Sequence, residues 1–324
     1  MLRWVFLDIG NVLMNDDPAM ALLYRELHRM ICQTGYRIPF ARLLEEREAL
    51  IRERGPEHWG ILGKKYLGDG GHRRLMERCA RKIRNDYMGC HEVLPGAPEL
   101  LERLASRYRI GVVANQLREV IPALREAGLG ERIEVYAVSE QVGIRKPDTS
   151  LYRWACEQAR CAPHEAVMIG DRPDNDIAPA RAVGLWTILF QLPHELKGYE
   201  PFGEYEKLYF ASQLRASICR IAPACDAQMP DAFARSFPEL EAAVEAVAQR
   251  AAATTASAAG SVPAAGPVPA PGSVPANGAG IADGPANREA SSLDDAESSA
   301  VDPAKAAPPR AKRATPSAAH SRRR

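Results

Sequence analysis

The chain has 324 residues, of which 46% are hydrophobic and 26% are charged, which is enough to bury one sizeable core and a smaller additional unit. The formal net charge of +1 argues against a nucleic-acid-binding core, and no run approaches the roughly 18 apolar residues of a membrane span. Seven cysteines without a CxxC pair are typical of reduced thiols, so we expect a cytoplasmic protein that binds no membrane and, through its core, no nucleic acid.

The first predicted element is a buried strand over residues 4–7, which ends at Asp8. A helix start is predicted at Asp17-Pro18, because aspartate is a favoured N-cap and proline suits the first turn. A helix-rich polar region then continues to about residue 88. Its helices are marked by two apolar stripes at helical spacing: Leu23, Leu27, Met30 and Ile31, then Leu75, Met76, Cys79 and Ile83.

Strands and helices alternate in the middle of the chain. Strands are predicted over 109–114, 134–138, 166–169 and 186–190, and helices start near Pro98, end at Gly128, span 150–160 and end at Gly184. This alternation predicts an α/β fold with a Rossmann-like parallel sheet and crossover helices. Residues 191–235 match no pattern and are interpreted as a local elaboration, and a final helix is predicted over 236–249.

The composition changes at about residue 251. Ala, Pro, Gly and Ser dominate residues 251–324, which offer too little large apolar surface to offset the entropy lost on ordering. We therefore predict a disordered tail over 251–324. Its last stretch, 304–324, carries lysines and arginines and no acid, so it could bind an anionic partner weakly, although a solvated tail is the simpler interpretation.

Polar residues follow four of the predicted strands, at the edge where parallel sheets bind ligands. They are Asp8 after the first strand, Asn115 after the second, Lys146 beyond the third, and Asp171 and Asp176 after the fourth. This set suits phosphoryl transfer, because a carboxylate can attack phosphorus and form an aspartyl-phosphate. Mg²⁺ prefers oxygen ligands, which Asp8 and Asp171 supply with Asp176 nearby. A lysine then offsets the charge of the nucleophile and the phosphate.

In this order the motifs resemble those of the haloacid dehalogenase-like superfamily. Asp8 at a strand-to-turn step, Lys146 before a proline, and the GDxxxxD segment from Gly170 to Asp176 are similar to the family's motifs I, III and IV. The first motif is of the DxGNV type. The resemblance covers about residues 1–190.

The resemblance implies a Rossmann-like core made of residues 1–14 and 91–250. Residues 15–90 match the position of a small helical cap inserted after the first strand, and the predicted tail 251–324 follows the core. The family usually uses Mg²⁺ and usually hydrolyses phosphate monoesters. We therefore expect a phosphatase that acts on a small phosphorylated metabolite.

The resemblance also implies a role for each matching residue. Asp8 is the expected nucleophile, and Lys146 is expected to steady the phosphate. The metal ligands implied are the side chains of Asp8, Asp171 and Asp176 and the backbone carbonyl of Gly10. Asp176 is expected to support either the metal or Lys146.

Two positions depart from the family pattern. The family's phosphatases usually carry a second aspartate two residues after the nucleophile, where this chain has Gly10. That aspartate protonates the leaving oxygen and later activates water, and losing such help costs about 10²–10⁴-fold in rate. Motif II usually ends in Ser or Thr, where this chain has Ala114. Losing one charge-stabilising donor costs about 10²–10³-fold.

These departures keep an alternative open. The chain could be a catalytically weakened or inactive member of the family that binds a phosphate ester or a protein partner. We predict that Asn11 and Asn115, together with Lys146, bind the phosphate and that the two amides partly compensate for the missing groups. The sequence does not identify the substrate.

Overall fold

A parallel sheet lies at the centre of the computed structural model, which describes residues 1–260 and the side chains of residues 1–255. The strands of this part of the chain are β1 (Trp4–Leu7), β2 (Met14–Asn15), β3 (Glu92–Val93), β4 (Arg109–Ala114), β5 (Ile133–Val138), β6 (Ala166–Gly170), β7 (Trp186–Phe190) and β8 (Ala232–Ala234). The central sheet has six strands in the order β5–β4–β1–β6–β7–β8, all parallel. β2 and β3 pair separately in antiparallel fashion.

The five strands predicted from the sequence are confirmed, since each apolar run is buried in the sheet. In the register of the sheet, Leu7 lies opposite Val112 on one side and Ile169 on the other. The ends of β1, β4 and β6 therefore meet at one edge. The sixth strand, β8, was not predicted, because its three residues include two alanines and carry little strand propensity.

Helices cover both faces of the sheet and form a separate layer beyond one edge. They are α1 (Asp17–Gln33), α2 (Phe40–Arg54), α3 (His58–Asn85), α4 (Ala97–Ala105), α5 (Val120–Glu126), α6 (Ser139–Val142), α7 (Thr149–Ala159), α8 (Ala178–Val183), α9 (Glu204–Arg215) and α10 (Phe237–Gly260). α4, α5 and α10 pack with Val5 and Leu7 on one face of the sheet, and α7 and α8 pack with Trp4 and Phe6 on the other. Alternate strand residues thus fill two cores.

The separate layer, at the position predicted for a cap and called the cap below, consists of α1, α2 and α3, which lie between β2 and β3 in the chain, and α9 joins them. α9 packs against α1 and α2, and its Tyr209 is buried in the cap core beside Tyr24. The buried Arg47 of α2 donates to Ser212 Oγ and Ala216 O, each at 3.0 Å. Residues 191–235 therefore do more than elaborate one loop, since their helix completes the cap.

The last helix is longer than predicted. α10 ends at Gly260, so residues 251–260, which the composition assigned to the disordered tail, are helical. The correction follows from the alanines at 251–253, because alanine has the highest helix propensity and a formed helix propagates through it. The rest of the predicted tail, 261–324, lies outside the described residues. Within the part of the chain that is described, no helix is both long and apolar enough to cross a membrane.

Candidate active site

The turn after β1 fixes Asp8 at the carboxyl edge of the sheet. Its amide extends the strand ladder by donating to Ile169 O at 2.8 Å. The chain then reverses at Asn11, whose φ of 57° is left-handed and whose amide donates to Met14 O. Asparagine tolerates this backbone conformation better than most residues. The Asp8 residue is 9% exposed, so its carboxylate is buried but reachable.

Lys146 connects two of the predicted acids. Its Nζ lies 2.9 Å from Asp8 Oδ1 and donates to Asp176 Oδ1 at 2.6 Å and to Val113 O at 2.9 Å. Asn115, just after β4, holds the Lys146 backbone. Its Nδ2 donates to Lys146 O at 2.9 Å, and its Oδ1 accepts from Lys146 N at 2.8 Å. Lys146 is thus held both at its ammonium group and at its backbone.

Asp171 and Asp176 follow β6, with Asp176 in the π-helical turn Pro173–Ile177. One carboxylate oxygen from each of Asp8, Asp171 and Asp176 lies within 4.8 Å of the other two. This approach requires Gly170, because a Cβ there would lie 2.3 Å from Asp176 Cβ. Glycine at the strand end therefore lets the turn fold back against the sheet.

Burial and mutual repulsion disfavour ionisation in this acidic group. Burial, with the charges of Asp176 and Asp171, raises the pKa of Asp8 to about 8 although Lys146 opposes the change. Burial and the Asp176 charge raise the pKa of Asp171 to about 6. Burial disfavours the Lys146 ammonium, but the carboxylates of Asp176 and Asp8 raise its pKa. One ammonium among three carboxylates leaves negative charge that a divalent cation would neutralise.

The donor set fits Mg²⁺. Asp8 and Asp171 offer carboxylate oxygens, the ligand type that Mg²⁺ prefers. Asp176 is more committed, because its Oδ1 accepts from Lys146 and its Oδ2 accepts from Arg172 N at 3.0 Å. It has lone pairs left for a cation or for a water bound to one. Asp8 and Asp171 can therefore bind a metal directly, whereas Asp176 can bind it directly or through a water.

A lysine that the sequence did not suggest orders the other side of the site. Lys197 is buried, and its Nζ donates to Asn11 Oδ1 at 2.7 Å and to Asp17 Oδ2 at 3.0 Å. Asn11 Nδ2 in turn donates to Asp171 Oδ2 and to Cys219 Sγ, both at 3.2 Å. Lys197 therefore orients Asn11, and Asn11 orients Asp171.

Asp16 lies beside Gly10. It is the N-cap residue of α1, a position predicted for Asp17, and its side chain caps no helix amide. Asp16 Oδ2 is 2.2 Å from the place that a Cβ on residue 10 would take. Asp16 Oδ1 is 3.6 Å from His91 Nε2, and Gln116 Nε2 donates to Oδ2 at 3.5 Å. A carboxylate thus adjoins residue 10, although residue 10 itself has none.

A cavity of about 400 Å³ lies between the cap and the loops that follow β4 and β5. Its cap wall is largely apolar, and its core wall carries amides, a guanidinium and a carboxylate; the lining includes Met20, Leu23, Met76, Ile83, Asn115, Gln116, Glu140 and Arg145. Ala114, the buried last residue of β4, offers no hydroxyl. The cavity reaches Asn115 and hence the neighbourhood of Lys146.

The structure brings most of the predicted site residues into direct contact with one another. Asp8, Asp176 and Lys146 touch, Asn11 binds Asp171, and Asn115 binds the backbone of Lys146. The sequence prediction missed Lys197, Asp16 and His91. A second aspartate beside the predicted helix start was a usable signal for Asp16. Nothing in the sequence marked Lys197, because its segment matches no motif or period.

Comparisons with known proteins identify a family of hydrolases and several related phosphatases. A family model described as haloacid dehalogenase-like hydrolase matches residues 2–184. The phosphoserine phosphatase of Thermus thermophilus is 27% identical over 221 residues, which is 58% of this chain and 88% of that protein. The glyceraldehyde 3-phosphate phosphatase of Pyrococcus abyssi is 25% identical over 197 residues, 59% of this chain and 82% of that protein. A haloacid dehalogenase-like family hydrolase of Streptococcus pneumoniae shares the fold, with a TM-score of 0.51, 15% identity, and coverage of 74% of this chain and 97% of its own.

Proposed function

Because the chain belongs to the haloacid dehalogenase-like hydrolase family, we propose that it is a Mg²⁺-dependent phosphatase that acts on a small phosphorylated metabolite through an aspartyl-phosphate on Asp8. The observation that carries the proposal is the Lys146 ammonium bound to both Asp8 and Asp176, with an oxygen of Asp171 within 4.8 Å of both acids. A buried group of three acids and one cation costs stability when no metal neutralises it. Its presence therefore favours a functional role. Relatives named phosphoserine phosphatase and glyceraldehyde 3-phosphate phosphatase support this use.

We assign the cation to the carboxylates of Asp8 and Asp171 and the backbone carbonyl of Gly10, with Asp176 as a further ligand, direct or through water. When bound, Mg²⁺ would neutralise the phosphate and the acids, so that two anions could approach each other. The raised pKa values of Asp8 and Asp171 support this assignment, because burial and the neighbouring carboxylates disfavour the ionised forms that a bound cation would favour.

Asp8 is the nucleophile in this proposal. Its Oδ1 accepts from Ile9 N at 2.8 Å and pairs with Lys146, which leaves Oδ2 for attack on phosphorus. As the Oδ2–phosphorus bond forms, the bond to the leaving oxygen breaks and its electron pair goes to that oxygen. Water then attacks the aspartyl-phosphate, the phosphorus–Oδ2 bond breaks, and inorganic phosphate is released.

The positive charge of Lys146 steadies the phosphate in both steps. Asn115 uses one Nδ2 hydrogen on Lys146 O and retains a second for a phosphate oxygen. Asn11 would have to exchange its weak contact with Cys219 Sγ for a phosphate oxygen. We therefore assign Asn115 a direct contact with phosphate and Asn11 mainly the orientation of Asp171.

The leaving group would occupy the cavity under the cap. We propose that residues 15–90, together with α9, act as the cap over a core of 1–14 and 91–250. The apolar side chains of α1 and α3 favour a substrate with some apolar surface, and Arg145 with Glu140 at the cavity wall favours an additional polar substituent.

A second candidate function is binding without turnover. It is favoured by Ala114, which removes a hydroxyl from the end of β4, and by Gly10, which carries no acid of its own. Uncatalysed hydrolysis of phosphate monoesters is so slow that enzymes reach about 10²¹-fold acceleration. A site lacking two groups can therefore still be an effective enzyme, and for this reason we rank phosphatase activity first.

The test is phosphate release from a panel of phosphorylated metabolites and from 4-nitrophenyl phosphate, with and without Mg²⁺. Wild type should show Mg²⁺-dependent turnover that Asp8→Asn lowers by at least about 10³-fold, since the variant keeps the shape but not the nucleophile. Asp86→Asn, an exposed residue at the end of α3, is the matched control and should retain activity. Wild-type turnover no greater than that of Asp8→Asn, with Mg²⁺ binding intact, would instead support the binding function.

A further inference from the structure

We propose that Asp16 carries out the proton transfers of the reaction, in place of a side chain on Gly10; this inference rests on the proposed phosphatase function. An unactivated leaving oxygen needs a proton as its bond to phosphorus breaks, and a positioned acid supplies about 10²–10⁴-fold. Asp8 is committed to phosphorus and Asp176 to Lys146 and Arg172 N. Asp171 faces the proposed metal, and Asp16 is a further carboxyl group that adjoins the Asp8–Gly10 turn.

The position of the carboxylate is the first argument. From the Cβ position on residue 10, Asp16 Oδ2 lies at 2.2 Å and Asp16 Cγ at 2.9 Å. The first of these is close to the separation of Cβ and a carboxylate oxygen within one aspartate side chain. Asp16 therefore places an oxygen in the space that an acid at residue 10 would use. It reaches this place because the chain reverses at Asn11 and bridges Gly10 to Met14.

The second argument is that Asp16 does not perform the usual role of its position. An aspartate at an N-cap normally accepts a hydrogen bond from an amide in the first helical turn, and Asp16 accepts none there. Among the described residues, its Oδ1 is buried without a hydrogen-bond partner. The side chain as a whole is 28% exposed, so a substrate could reach it. Helix capping therefore does not explain its orientation.

Two polar side chains, His91 and Gln116, adjoin the Asp16 carboxyl group. His91 Nδ1 is 3.1 Å from Tyr87 O, which can only accept, so that nitrogen carries a hydrogen and Nε2 faces Asp16 Oδ1. The His91 ring stacks on Tyr87 with centroids 4.2 Å apart. Tyr87 Oη also donates to Gln116 Oε1 at 3.1 Å, which turns the Gln116 amide nitrogen toward Asp16 Oδ2. Gln116 is thus a positioning residue for this carboxyl group, and His91 lies beside its unpaired Oδ1.

The proposed step balances as follows. The Asp16 carboxyl group gives its proton to the leaving oxygen, which receives the electron pair of the broken phosphorus–oxygen bond while Asp8 Oδ2 bonds to phosphorus. The resulting Asp16 carboxylate then removes a proton from water as the water oxygen bonds to phosphorus. The electron pair of the phosphorus–Oδ2 bond returns to Asp8, and Asp16 is protonated again.

The test compares leaving groups. Asp16→Asn should lower kcat/KM for the best alkyl phosphate of the panel by about 10²–10⁴-fold, because the alkoxide needs a proton. It should nearly spare kcat/KM for 4-nitrophenyl phosphate, whose leaving group does not need one. With that substrate the variant should show a burst of 4-nitrophenolate equal to the enzyme concentration, followed by slow turnover. Asp86→Asn should change none of these quantities.

Four outcomes would overturn the proposal. Equal losses on both substrates, or no loss on either, would remove Asp16 from proton transfer while leaving the phosphatase function intact. Asp8-dependent turnover of 4-nitrophenyl phosphate alone by wild type would show that the site has no working acid. If wild type and Asp8→Asn release phosphate equally slowly from every substrate, the phosphatase function fails and this inference fails with it.

A swap of the two positions supplies a readout besides activity. Gly10→Asp should lower Tm in metal-free protein, because its Cβ meets Asp16 Oδ2 at 2.2 Å. The double variant Gly10→Asp/Asp16→Ala should recover Tm and turn over the alkyl phosphate at least tenfold faster than Asp16→Ala. If the double variant is no more stable than Gly10→Asp and no more active than Asp16→Ala, the two positions do not share one place and the proposal is overturned.

Discussion

The geometry of the site depends on two glycines that leave room for carboxylates from elsewhere. The space beside Gly170 holds the Asp176 side chain, and the space beside Gly10 holds that of Asp16. At Gly170 the consequence is that an acid reaches Lys146. At Gly10 the consequence is that the Asp16 carboxylate occupies the space that an aspartate side chain at residue 10 would fill. Glycine in a strand end or turn here signals a close approach rather than a need for flexibility.

Gly170→Ala tests the close approach of Asp176. The new Cβ would lie 2.3–2.6 Å from Asp176 Cβ, Cγ and Oδ2, so the turn must move and Lys146 must lose its geometry. We expect kcat/KM to fall by about 10²-fold, the usual cost of a shift of about 1 Å in a catalytic group. Steady-state phosphate release and Mg²⁺ titration by calorimetry would measure the effect.

Gly60→Ala is the matched control, because Gly60 lies in α3 and a Cβ there meets no atom within 4 Å. It should leave kcat/KM unchanged and raise the free energy of unfolding by up to about 1 kcal/mol, since alanine favours a helix. Equal kcat/KM for Gly170→Ala and wild type would contradict the close-approach argument.

At the scale of elements, the segment that follows β7 ties the cap to the site. Asp17 at the start of α1 accepts from Lys197 Nζ at 3.0 Å and from Gln213 Nε2 of α9 at 2.7 Å, and lies 3.1 Å from His194 Nδ1. Burial opposes ionisation of this acid, but the contact with His194 and the charge of Lys197 keep its pKa below the usual range. The same Lys197 orients Asn11. The segment therefore stabilises the cap and orders the active-site turn together.

Lys197→Met tests this dual role. Removing the ammonium leaves the buried Asp17 carboxylate short of its cation, which should lower the free energy of unfolding by roughly 3–5 kcal/mol. Activity of the remaining folded protein should also fall, because Asn11 loses the donor that holds its Oδ1. Urea denaturation at pH 7 and phosphate release on the folded fraction would measure the two effects.

Lys207→Met provides the comparison, because Lys207 is an exposed residue of α9. Its effect on unfolding should stay within about 0.5 kcal/mol. If both lysine variants behave alike, the network around Asp17 does not stabilise the protein in the way inferred.

At the scale of the whole molecule, we expect the acidic group to make stability depend on pH and, through the proposed site, on divalent metal. The raised pKa values of about 8 for Asp8 and about 6 for Asp171 mean that the folded protein holds protons which the unfolded chain releases above about pH 4. The stability tied to those protons is present below about pH 4 and is lost as pH rises toward 8. In the proposed site, Mg²⁺ would compete with the same protons and offset the repulsion between the carboxylates.

We therefore expect Mg²⁺ to raise Tm little at about pH 5 and most near pH 8. Thermal unfolding across this range, with and without Mg²⁺ and at constant ionic strength, would measure the difference. NaCl in place of MgCl₂ should not reproduce it, and Asp8→Asn should weaken it, since one of the titrating ligands is gone. A Mg²⁺-induced change in Tm that is the same at both pH values would rule out proton competition at this site.

The sequence by itself determined the parallel sheet and the acids at its edge. Apolar runs mark each strand locally, and the parallel arrangement brings the residues that follow β1, β4 and β6 to one place. Asp8, Lys146, Asp171 and Asp176 could be found in this way because each sits beside a local signal. Apolar stripes predicted helices after the first strand, and the family resemblance assigned them to a cap.

Only the tertiary structure decided which other side chains complete the site. Lys197 reaches Asn11 from 186 residues away, and α9 joins a cap whose other helices lie far earlier in the chain. Asp16 meets Gly10 because a tight turn reverses the chain, which neither composition nor periodicity encodes. A local pattern reports the burial of one element at a time. Contacts between distant side chains depend on the packing of several elements, so the sequence could identify the acids and Lys146 but not Lys197, Asp16 or His91.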